Sequence, residues 1–120
     1  MGIKVKLKGS FKNTEKYLDE HPSSMFTKEQ VYEIAEKALE LFQKNTPTSS
    51  GKTAMSWSYE VKQHNGSYEI IMHNSNIQNG YSIAILLNDG HATASGKYIS
   101  GTHYIEDTMK DIFKFIDSIQ

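Results

Sequence analysis

Between Thr53 and His73 the chain alternates at period two on both sides of Asn65-Gly66, and this pattern constrains the fold more than any other stretch. Thr53, Met55, Trp57, Tyr59 and Val61 fall on one face, with Ala54, Ser56, Ser58, Glu60 and Lys62 on the other. Asn-Gly between alternating runs is the strongest short-range signal for a two-residue hairpin turn. Such a turn sets His64 opposite Ser67, Lys62 opposite Glu69, Val61 opposite Ile70 and Tyr59 opposite Met72. Apolar pairs then share one face and the Lys62–Glu69 pair shares the other, so the register agrees with itself. A sheet with one apolar face needs a second layer to cover it.

Two segments supply that layer. Thr27 followed by Gln30 reads as a capping box, with Phe26 and Val31 placed as a hydrophobic staple. Beyond it Val31, Ile34, Ala35, Ala38, Leu39, Leu41 and Phe42 form one stripe, ending near Asn45 before Pro47. From about Thr102 a second stripe runs through Tyr104/Ile105, Thr108/Met109, Ile112/Phe113, Ile116 and Ile119, with Glu106 and Asp107 in the first turn, where the helix dipole favours anions. Ile3 to Lys8 alternates apolar residues with lysine and predicts a short strand. Ser10 to His21 reads as a modest helix stopped by Pro22. Asn74 to Gly80 reads as a polar loop, and Tyr81 to Leu87 as an apolar run that periodicity leaves open between strand and helix. Asn88-Asp89-Gly90 predicts a turn. His91 to Lys97 has no large apolar side chain and predicts a mobile loop, followed by a short strand around Tyr98 and Ile99. The expected fold is α+β, a single domain over residues 1–120. It comprises an antiparallel sheet with a central hairpin, joined by the segments near Tyr81 and Tyr98 and covered on one face by two main helices, plus a short N-terminal strand and helix.

Composition removes several function classes. A chain of 120 residues supports one core. The longest apolar run, Ile83 to Leu87, is far short of the roughly 18 residues of a membrane span. The lysine-interrupted start lacks the apolar core of a secretory signal, which points to folding in the cytoplasm. Without cysteine there is no disulfide framework, thiolate zinc site or cysteine nucleophile. All 13 basic residues are lysine, and bidentate reading of guanine or phosphate is principally arginine chemistry, so no sequence-specific nucleic-acid partner is expected. Lys4, Lys6 and Lys8 form a weak electrostatic patch. It reads either as the solvated face of an edge strand or as a surface for phosphate or a partner, including weak DNA contact.

No complete catalytic motif is present. Gly51-Lys52-Thr53 fails as a phosphate loop because Thr46 stands where its first glycine belongs and because the segment reads as leading into a strand. The histidines at 21, 64, 73, 91 and 103 make no helical ligand pair, so no metal or cofactor is expected. His91, at the base of the expected loop, could offer its ring to a partner or serve as a general base. Glu33, Glu36 and Glu40 read as a solvated helix face, and Trp57 as core.

Taken in order, several of these elements match a known pattern. They are Thr46-Pro-Thr-Ser-Ser-Gly51, a strand from Ser56-Trp57, the Asn-Gly hairpin, Tyr81 with its apolar run into Asn88-Asp-Gly-His91, and Gly96-Lys-Tyr-Ile-Ser-Gly101 before a final helix. Over roughly residues 28 to 116 the chain resembles the neck proteins of long-tailed bacteriophages, variously called head–tail joining, tail-completion or minor structural proteins. The resemblance implies a small non-enzymatic α+β virion protein, compatible with a monomer in solution. Its copies form a ring between head and tail, in contact with head-completion and tail-tube or tail-terminator proteins, and DNA passes through that ring. It places the protein in the virion neck, and in the host cytoplasm before assembly. Pro47 and Gly51 would shape the helix-to-strand loop, Tyr81 would anchor the apolar run, and Gly101 would end the loop begun by Gly90-His91. Where such proteins usually carry Leu-Arg this chain has Thr53-Ala54, leaving Lys52 as the nearby cation. A closed ring needs two different surfaces on each subunit, and Gly90, His91, Thr93, Ser95, Lys97, Tyr98 and Ser100 are the candidate for one of them. The alternative reading is a small ligand-binding module or enzyme with a pocket near His91, Tyr104 and the polar loop at Asn74.

Overall fold

A computed structural model describes residues 3–8, 15–21, 26–47, 51–64 and 67–119. The predicted hairpin is present. Strand β3 (Trp57–His64) pairs with β4 (Ser67–Asn74) in the register derived above, Tyr59 opposite Met72 and Lys62 opposite Glu69; the Asn65-Gly66 turn itself lies outside the described residues. It occupies one side of a four-stranded sheet, where β1 (Ile3–Lys8) lies parallel to β4 and β2 (Glu15–His21) pairs antiparallel with β1. The order is β2-β1-β4-β3, two antiparallel hairpins joined by one parallel seam.

Helix α1 (Lys28–Asn45) starts on the predicted capping box: the Gln30 amide donates to Thr27 Oγ1 at 3.1 Å and the Thr27 amide donates to Gln30 Oε1 at 2.9 Å. Helix α4 (Tyr104–Ser118) lies beside it, antiparallel. Gln30 Nε2 donates to the Ile119 carbonyl at one end, and Asn45 Nδ2 donates to Thr108 Oγ1 at 3.0 Å at the other. Both helices cover one face of the sheet. Val31, Ile34, Ala38 and Phe42 from α1 and Ile105, Ile112 and Ile116 from α4 meet Val5, Trp57, Ile70 and Met72 in a single core. Each large side chain buried there contributes roughly 1.5–3 kcal/mol relative to exposure. Trp57 is pinned in orientation as well as buried. Its ring centroid lies 4.7 Å from that of Phe42, and Nε1 donates to Thr46 Oγ1 at 2.8 Å.

The α+β class and its helix-covered hairpin hold, while several finer expectations are corrected. The short N-terminal helix is absent over Glu15–His21, which is strand β2; Ser10 to Thr14 lie outside the described residues. Thr53 to Met55 do not extend β3. Lys52–Met55 forms a one-turn helix, α2, after Gly51, so Met55 is 83% exposed rather than on the core face. The cause is a buried polar lock, in which Asn76 Nδ2 donates to Thr53 Oγ1 and Asn74 Nδ2 donates to the Thr53 carbonyl, both at 2.8 Å. The expected polar loop is therefore partly interior, with Asn74 and Asn76 buried and Ile77–Gln78 forming β5. The segments near Tyr81 and Tyr98 do not join the main sheet. Tyr81–Ser82 forms β6 against β5, and Gly90–Ala92 (β7) pairs with Tyr98–Ser100 (β8) in a separate ribbon. Between them Ile83–Asp89 is helical, α3, so Asn88 and Asp89 close a helix rather than make a turn.

Candidate assembly surface

The residues from Gly90 to Gly101 form a tight hairpin: the expected strand at Tyr98 and Ile99 is present as β8, and it pairs with β7, which begins where the sequence predicts a loop. Gly90 faces Ser100, His91 faces Ile99 and Ala92 faces Tyr98. Its tip closes on itself: the Thr93 amide donates to the Lys97 carbonyl at 2.7 Å, the Gly96 amide to the Thr93 carbonyl at 2.9 Å and the Lys97 amide to Thr93 Oγ1 at 3.2 Å. Ser95 Oγ lies 3.0 Å from Thr93 Oγ1. Backbone and hydroxyl groups thus order a segment that has almost no apolar content.

The base of the hairpin is rigid for a steric reason. Gly90 has φ +86°, in the region that favours glycine, and a Cβ there would meet the Gly101 amide nitrogen at 2.7 Å. A Cβ on Gly101 would run into the Asn88 carbonyl oxygen and come within 2.5 Å of the Asp89 carbonyl carbon. Below the crossing, the Thr102 amide donates to the Leu87 carbonyl at 3.0 Å and the His103 amide to the Asn88 carbonyl at 3.1 Å. Asn88 is fully buried and ties α3 to α4. Its Oδ1 accepts from the Ile105 amide at 2.8 Å, while Nδ2 donates to Asp89 Oδ1 at 2.9 Å and to Glu106 Oε1 at 3.2 Å. His103, which precedes α4, has φ +55° and gives that helix no side-chain cap, so Asn88 caps it from α3. Sequence reasoning missed this role. The available signal was an asparagine ahead of a helix whose own cap position holds histidine.

The hairpin's outer surface is exposed, with Tyr98 at 64% and Ile99 at 47%. Lys97, Ser95 and Ser100 are exposed beside them and Thr93 is half-buried. His91 is half-buried, not the exposed ring expected, and among the described residues its Nδ1 is enclosed without a hydrogen-bond partner.

The other predicted positions disperse. Gly51 is left-handed at φ +76° and starts α2, and Pro47 follows α1. The phosphate-loop segment thus leads into a helical turn rather than a strand, but Thr53 is buried with its hydroxyl engaged by Asn76. Lys4, Lys6 and Lys8 stand on an inner strand, which removes the edge-strand account. In register, Lys4 lies between Glu20 and Glu69, Lys6 between Tyr17 and Ile71, and Lys8 between Glu15 and His73. Acids therefore flank two of the three lysine positions. Tyr104 and Asn74, offered as pocket residues with His91, are buried: Tyr104 donates to the Ala84 carbonyl at 2.7 Å, and burial pushes its hydroxyl well above the ordinary tyrosine range. Among the described residues no group of three or more His, Asp or Glu side chains could hold a metal ion, and no helix is long and apolar enough to cross a membrane.

No protein-family model, curated protein or solved structure matches the chain.

Proposed function

We propose that this chain is a non-enzymatic structural protein of the head–tail joint of a long-tailed phage or prophage, acting as one subunit of a ring between head and tail. Its partners are further copies of itself, a head-completion protein and a tail-tube or tail-terminator protein. It occupies the virion neck, and the host cytoplasm before assembly. The observation that carries this reading is the Gly90–Gly101 hairpin, which is fixed at its base yet presents Tyr98, Ile99 and Lys97 to solvent. A rigid projection with exposed aromatic and aliphatic groups suits contact with another protein, because little ordering entropy remains to be lost on docking. The order of motifs along the chain supports the same reading.

Negative-stain microscopy and sedimentation of the concentrated protein test it. Rings are expected, and Tyr98→Ser with Ile99→Ser should abolish them while the variant monomer keeps the far-UV circular dichroism of the wild type. A strict monomer at every concentration, with no difference between wild type and the hairpin variant in binding phage head or tail extracts, would overturn the reading.

A further inference from the structure

A ring requires each subunit to present two dissimilar surfaces, and the hairpin supplies one. A groove of about 310 Å³ lies elsewhere, between the exposed face of α1 and the last turns of α4. Glu33, Glu36 and Glu40 line it, and half-buried Leu39 and Phe115 give it apolar walls. Two of the acids are already engaged: Tyr59 donates to Glu36 at 2.6 Å, and Lys37 pairs with Glu40 at 3.3 Å. Among the described residues the Glu33 carboxylate and the Lys97 ammonium have no ion pair. The Phe115 ring also accepts a cation over its face, with Lys37 Nζ 5.7 Å from its centroid.

We infer that this groove receives the Gly90–Gly101 hairpin of a second copy of the chain, with Lys97 toward the glutamates and Tyr98 and Ile99 against Leu39 and Phe115. The inference rests on the self-assembly proposed above and names the acceptor surface. Charge complementarity carries it. From Gly90 to Gly101 the only residue charged at neutral pH is Lys97 and no acid occurs, whereas the groove has three glutamates against one lysine. Placement agrees. The hairpin leads into the N-terminus of α4, and Phe115 sits about 16 Å further along that helix at roughly 1.5 Å per residue. No residue of the hairpin lines the groove, so donor and acceptor are two different surfaces of one subunit, as a head-to-tail contact requires. A hairpin is smaller than the ~800 Å² per partner of a standard stable interface, so a single contact is weak and ring closure supplies the avidity.

The cysteine-free chain allows a direct test. Ser95→Cys places a thiol on the exposed hairpin and Gln43→Cys places one in the groove. The two full-length variants are mixed in a redox buffer that permits exchange, and the three possible disulfide dimers are quantified. The expected result is an excess of about tenfold of the mixed dimer over either homodimer, corresponding to ~1.4 kcal/mol of preference. Glu33→Lys with Glu40→Lys in the groove copy should remove the excess, and Lys97→Glu in the hairpin copy should restore it. A statistical mixture overturns the groove assignment; with rings still visible by microscopy, the self-assembly reading survives. Dominance of the hairpin–hairpin dimer also overturns it, in favour of a two-fold contact. Absence of both rings and any selective disulfide overturns the inference and the reading beneath it.

Discussion

Asn88 combines full burial with hydrogen bonds to a backbone amide and two carboxylates, so its removal leaves the Ile105 amide and Glu106 without that partner. Asn88→Ala is expected to lower stability by about 1–3 kcal/mol, the usual cost of orphaning a buried polar group, read as a lower urea midpoint at unchanged slope. Gly101→Ala should be at least as damaging, because its Cβ meets backbone rather than a side chain that can turn away. Tyr59 gives a pH signature. Its hydrogen bond to Glu36, followed by burial and the carboxylate's charge, pushes its hydroxyl from 10.0 up to about 12. A group whose value is raised on folding contributes fully below its unfolded value and loses that contribution as pH climbs through the folded one. Thermal midpoints should therefore fall between pH 10 and 12, and Tyr59→Phe should fall less steeply over that window.

At the level of elements, periodicity made α1, α4 and the β3–β4 register legible, because each carries enough residues for a repeat to stand out. It failed where elements are short or set by neighbours. Glu15-Lys-Tyr-Leu-Asp-Glu-His contains good helix formers, yet it is drawn into strand β2 by pairing with β1 across a register shift at Val5/Lys6. Helix α2 spans one turn, too few residues for any period, and is held by asparagines that lie 21 and 23 residues away in sequence. Of the β7–β8 ribbon only the strand at Tyr98 and Ile99 is legible in the sequence; β7 is not, because backbone and threonine hydrogen bonds, not apolar side chains, close the hairpin. Ile71 lies between Ile70 and Met72 and so falls on the opposite face of β4, that of Glu69. It is 3% exposed yet apart from the core cluster, opposite Lys6 and Glu60, so the outer sheet face also buries apolar surface. Thr46→Val should free the Trp57 indole from its acceptor at a cost of about 1 kcal/mol or more, with a shift in the emission of the single tryptophan.

For the whole molecule, the candidate surface was legible as a segment but not as a shape. Residues 91–97 stand out in the sequence as a stretch without a large apolar side chain. The rigidity of its base came from Gly90 and Gly101, whose contact is invisible without the crossing of chains. The groove was unreadable from composition, since Glu33, Glu36 and Glu40 resemble any solvated helix face until Phe115 arrives beside them from a distant element.

The parallel seam between β1 and β4 has a consequence during synthesis. Ile3 pairs with Tyr68, so the first strand leaves the ribosome long before the strand that must flank it. At roughly 5–20 residues per second the delay is about 3–13 s. Throughout that interval the β1–β2 hairpin has an unmatched edge on the β1 side, bearing alternating lysines that discourage other chains from pairing with it. Replacing Lys4, Lys6 and Lys8 with threonine should therefore lower soluble yield in cells far more than it lowers the stability of protein already folded.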